Sequence, residues 1–192
     1  MKYPRLLLVL VSVFLFACSS NKNNQDATED EGPVTFFPVH QFFLGEIEDI
    51  KKRGLSPLCK ITINGKMDSS WLKHDQMHLA CTEFLRPAID SAALSPYFRE
   101  TGFFDETIQA LTLDTEPRAV TIPDSISWTG WIVYVDPSTQ KVKRILLTKK
   151  AGTDKEMQLT WITGKSCKIQ VINKAPGVPN PIEKETSIRW DF

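Results

Sequence analysis

The chain has 192 residues, of which 42% are hydrophobic and 24% charged, with 23 basic and 23 acidic side chains. That is enough apolar material for one real core and one domain. No basic stripe runs through it, which argues against a nucleic-acid partner, because phosphate backbones are held by concentrated Lys and Arg.

Residues 1–20 read MKYPRLLLVLVSVFLFACSS. Lys2 and Arg5 form a basic start, residues 6–16 an almost unbroken apolar run, and Leu15-Phe16-Ala17-Cys18 ends it. The run has the length of a signal-peptide core and falls short of the roughly 20 residues that a membrane-spanning helix needs. An uncleaved anchor helix is the other reading. The segment resembles the lipobox-type signal of bacterial lipoproteins, in which a small residue, here Ala17, precedes an acylated cysteine. Phe16 is bulkier than the residue usual at its position. The resemblance covers only this segment. It implies removal of residues 1–17, lipidation of Cys18 with palmitate-type chains, and no further cofactor. Several acyl chains hold a protein to a bilayer at about 0.8 kcal/mol per buried methylene. Ser19 stands where Asp often signals inner-membrane retention, so the resemblance implies the outer membrane of a Gram-negative envelope, with the periplasmic or surface face left open.

After Cys18 the chain carries 21 basic and 23 acidic residues and three cysteines, Cys59, Cys81 and Cys167. An oxidising compartment permits a disulfide. Cys59 with Cys81 is the most local pair, with a loop-closure stabilisation of roughly 3 kcal/mol. The competing reading is three buried thiols acting as small apolar side chains. Residues 18–35 are polar and poor in apolar side chains, which predicts a disordered tether of roughly 20–25 Å.

The globular domain spans residues 36–192. Residues 39–53 predict an amphipathic helix, with Phe43, Leu44, Ile47 and Ile50 at helical spacing and Gly54 as terminator. Residues 58–63 predict a strand, Asn64-Gly65 a tight hairpin turn, and residues 66–70 the return. Residues 71–86 predict a second helix with Leu72, Leu79, Phe84 and Leu85 facing the core, ended by Pro87 or followed by a short third helix. Strands follow at residues 97–103, 107–114, 127–135, 141–149, 156–162, 165–173 and 186–192. Alternation puts Met157, Leu159 and Trp161 on one face, then Cys167, Ile169 and Val171, then Ile188, Trp190 and Phe192. The expected fold class is α+β: an antiparallel β-meander sheet with two or three N-terminal helices packed on one face. The layout is similar to cystatin-like and other small helix-on-sheet lipoprotein domains, a likeness of fold that carries no function.

Four features bear on chemistry. His74 and His78 stand four residues apart, a spacing that suits zinc on a helix, but Asp75 replaces the Glu of an H-E-x-x-H motif and no third ligand is evident beyond guesses at Glu83 or Asp90. His78 with Cys81 could form a nucleophilic dyad, although nothing signals a lowered thiol pKa. Trp128 and Trp131 flank Gly130 at the start of a strand and are the expected ligand-binding pair, a partly exposed platform for a glycan or an envelope protein. The proline-rich residues 175–181 could dock a partner or simply stiffen a loop. The sum of these readings is a membrane-anchored, non-enzymatic binding or assembly module, with a small hydrolase or metal-binding protein using His74 and His78, or an inhibitor-type domain, as alternatives.

Overall fold

The computed structural model describes residues 35–177 and 182–192. The expected signal segment, Cys18 and nearly all of the expected tether lie outside them, as does part of the proline-rich segment of residues 175–181. The described residues open with α1 (Val39–Lys52) and the hairpin β1 (Leu58–Ile63) and β2 (Lys66–Trp71). A 3-10 turn (His74–Gln76) and three one-turn helices follow: α2 (Met77–Ala80), α3 (Thr82–Leu85) and α4 (Ser91–Leu94). Seven strands complete the chain: β3 (Phe98–Asp105), β4 (Ala110–Pro117), β5 (Trp128–Val135), β6 (Val142–Lys150), β7 (Lys155–Ile162), β8 (Ser166–Asn173) and β9 (Ile182–Arg189).

Among the described residues, nine strands form one sheet in the order β2-β1-β9-β8-β7-β6-β5-β4-β3. Every neighbouring pair is antiparallel. The architecture is therefore mainly β, and apart from α1 its helical segments are single turns, shorter than expected. The β3–β9 run is the predicted meander. Its extension comes from β9, which pairs on its far side with β1 and so joins the N-terminal hairpin to the sheet. Asn64 and Gly65 both take positive φ, 48° and 78°, which is the backbone that their hairpin turn demands.

The core lies between α1, the short helices and one face of the sheet. Val39, Phe43, Ile47 and Ile50 recur at helical spacing and are all buried, each stabilising by roughly 1.5–3 kcal/mol. Phe43 stacks against both Phe84 and Trp161 with ring centroids 5.1 Å apart, and Trp161 meets Trp190 at 5.3 Å. Glu46 pins α1 to the sheet by accepting from Trp161 Nε1 at 3.2 Å and from the Gly164 amide at 3.1 Å.

The expected helix over residues 71–86 is broken. Trp71 belongs to β2, paired with Leu58, and the Leu72 amide donates to the Pro57 carbonyl at 2.7 Å. Lys73 is extended, and the helical path bends again at Cys81. Met77 and Cys81 turn inward with Phe84 and Leu85, while Leu79, an expected core residue, is 78% exposed. The sheet and the core decide these orientations against local periodicity. The last strand also ends earlier than its alternation suggests. Phe192 leaves the apolar face, is 75% exposed, and stacks on Trp71 at 5.4 Å beside Arg189.

Candidate functional site

Alternate residues on the strands point away from the helices and build an open face. Asp114, Ile132, Leu146 and Thr160 lie side by side across β4 to β7. The next row holds Gly130, Thr148 and Gln158. Together with Glu116 they line a depression of about 450 Å³ on this face. Hydroxyl, amide and carboxylate groups surround an apolar floor of Ile132 and Leu146, a mixture suited to an orienting set of hydrogen bonds over a flat ligand.

The two carboxylates differ. Glu116 stands opposite Arg99 on β3 and accepts from its Nε at 3.0 Å and its Nη2 at 2.5 Å. Asp114 has no such cation. Its carboxyl is held above the usual carboxylate range, first by burial and then by the neighbouring Glu116 charge.

Trp128 and Trp131 do not present their rings on this surface, although Trp131 borders the depression. Each is only 2% exposed, so the expected open platform is a pair of core side chains. The reason is a bulge. In a regular strand, positions three apart face opposite sides, but the register shifts between Trp128 and Gly130 and returns both rings to the helix side. Gly130 is favoured by close approach, since a Cβ there would stand 3.0 Å from the Thr115 carbonyl oxygen, tighter than most such contacts. Trp128 donates from Nε1 to the Pro87 carbonyl at 3.1 Å and carries Lys149 Nζ 5.1 Å above its ring. Trp131 packs against Phe36 and Phe98 at 5.5 and 5.4 Å.

His74 and His78 fall on separate short elements, the 3-10 turn and α2, and both are exposed. They share a shallow depression with Glu48 and Lys51 of α1. Among the described residues, no three His, Cys, Asp or Glu side chains converge as a metal ion requires. Cys81 turns away from this depression. Its sulfur lies 3.9 Å from Cys167 Sγ in the core. Cys59, Cys81 and Cys167 are all buried and free, so the expected alternatives resolve to three reduced thiols. Burial pushes the Cys59 and Cys167 thiols up, the opposite of nucleophile activation.

Comparison with protein-family models, with curated proteins and with solved structures finds no match to this chain.

Proposed function

We propose that the chain is a lipoprotein of the Gram-negative outer membrane, acylated at Cys18, and that its folded domain is a non-enzymatic binding or assembly module for an envelope protein or glycan. The lipobox-type segment and the polar tether of residues 18–35 support the anchor. In the finer α+β reading of the fold, the helical layer has one purpose: it buries one face of the sheet and leaves the other for contact. The observation that carries the binding role is that open face, where Asp114, Gln158, Thr148 and Thr160 surround a depression of about 450 Å³. A face kept concave and mixed in polarity suits recognition better than a uniformly solvated one.

The test has two parts. Metabolic labelling with an acyl precursor should mark the wild type, and Cys18→Ser should lose both label and membrane association. A photo-crosslinking residue placed at Gln158 or Thr160 in intact cells should trap a partner, whereas one at exposed Lys52 on α1 should not. An acylated, membrane-bound Cys18→Ser protein would end the anchor reading. Equal trapping from Lys52, or none from the open face, would end the binding reading.

A further inference from the structure

A second cleft, of about 560 Å³, lies at the end of the sheet where the β5–β6 and β7–β8 turns meet the β3–β4 loop. We propose that it binds an anionic amphiphile: a single apolar chain carrying a phosphate-type head. The floor is apolar, with Tyr134 and Ile162 contributing. The rim is cationic, with Lys141, Lys143, Arg144 and Lys165, and none of the lining residues is acidic. In a chain whose charges nearly cancel overall, four cations gathered at one cleft are a local excess that an anion would offset.

The sequence builds this cleft by a second bulge. Tyr134 pairs with Arg144, but Val135 pairs with Val142, so Lys143 is the extra residue. A bulge re-aims the side chain it carries. Its carbonyl accepts from the Thr163 amide at 3.2 Å, which brings the β7–β8 turn, and Lys165 with it, alongside. Arg144 is flanked directly by Tyr134 on one strand and Ile162 on the other, so charge and apolar surface are interleaved.

Two observations point to a ligand. Thr163 lines the cleft, and its Oγ1 is buried with no hydrogen-bond partner. Buried hydroxyls are nearly always paired, and a rotation of the Thr163 side chain toward the cleft would let this one donate to a head-group oxygen. The cations are also uncommitted: among the described residues, Lys141, Lys143 and Arg144 form no ion pair. Lys165 acts at longer range on Asp191, whose carboxyl is lowered mainly by Arg189. The apolar body has somewhere to continue. Ile108 is exposed at the cleft mouth, and Phe103 and Phe104 lie half exposed on the same hairpin. The volume matches a small-molecule site, for which about 300–1,000 Å³ is usual.

The experiment uses the full chain with Cys18→Ser, so that no attached acyl group competes, and every variant is measured in that background. Titration calorimetry compares dodecyl phosphate below its micelle concentration with butyl phosphate, inorganic phosphate and dodecyl maltoside. Dodecyl phosphate should bind at least about tenfold tighter than each of the others, because only it uses both rim and floor. Lys143→Gln with Arg144→Gln should weaken it about tenfold or more, while Lys51→Gln with Lys52→Gln on α1 should leave it within about twofold. Both pairs are exposed, and circular dichroism checks their folding. Inorganic phosphate binding as tightly would reduce the cleft to a simple anion site and overturn the proposal. So would equal affinity for the maltoside, or indifference to the rim substitutions. Binding to phosphatidylglycerol vesicles without binding to the monomeric amphiphile would also overturn it, in favour of a membrane-contact surface.

Discussion

Lys149 is 5% exposed on the core face of β6 and offers the sharpest test of how the short helices are held. Its Nζ donates to the Glu83 carbonyl at 2.9 Å, the Arg86 carbonyl at 2.8 Å and the Glu83 carboxylate at 2.7 Å. It also lies over Trp128. Lys149→Met keeps the length of the stem and removes the ammonium, its charge and its donors together. Two carbonyls at the end of α3 then lose a charged donor, at about 1.5–3 kcal/mol. The lost cation–π contact adds about 0.5–1 kcal/mol. Relief of the buried ammonium's desolvation offsets part of this. The expected net loss is about 2–3 kcal/mol, or roughly 5–10 °C in Tm for a domain of this size. The Glu83 side chain is 44% exposed, so Glu83→Gln should cost under about 1 kcal/mol. Urea and thermal unfolding of both variants check this. A Lys149→Met protein within about 0.5 kcal/mol of wild type, or a Glu83→Gln protein equally weakened, would refute the view that Lys149 acts chiefly as a cap for α3.

Three further outcomes are expected. Phe43→Ala removes the ring that joins Phe84 to Trp161 and should cost about 3–5 kcal/mol by urea unfolding, since the site is fully enclosed. Asp114→Asn should raise Tm at pH 7 and make no difference near pH 3: the raised Asp114 pKa means that the folded state favours the neutral acid, so the wild type gives up stability as pH rises through that pKa. A loss of Tm at pH 7 would contradict the argument. Cys59, Cys81 and Cys167 should all resist iodoacetamide at pH 8 in the native state and react together on unfolding, as mass spectrometry would show; selective native labelling of any one would contradict their burial.

Much of the sheet was legible because its signals are local. The Leu159-Trp161 and Cys167-Ile169 alternations each need only one strand to be read, and Asn64-Gly65 needs only its own backbone. The α1 stripe of Phe43, Ile47 and Ile50 is equally self-contained. The readings that failed depend on distant residues. Trp71 leaves the predicted helix because Leu58 pairs with it, and Met77 displaces Leu79 from the core because the sheet face fixes which side is inward. Trp128 and Trp131 were misread because a bulge reverses alternation, and only Gly130 marks it in the sequence. The cationic cleft left only a short basic run, Lys141-Val142-Lys143-Arg144, in the sequence; Lys165 and the apolar Ile108 and Ile162 join it through pairing that no local pattern shows.

The position of β9 has a consequence for how the molecule comes into being. The last strand in chain order sits inside the sheet, with β8 on one side and β1 on the other. Until Ile182–Arg189 has emerged, the β1–β2 hairpin has no edge to join, and an isolated hairpin is marginal in water. This one contact bridges more than a hundred residues, Cys59 facing Ile188, so docking the hairpin closes a long loop and is the slow kind of step, whereas the other strand pairs are local. Until that final segment arrives the first hairpin stays unattached to the β3–β8 meander, and losing β9 would detach the first hairpin as well as the last strand.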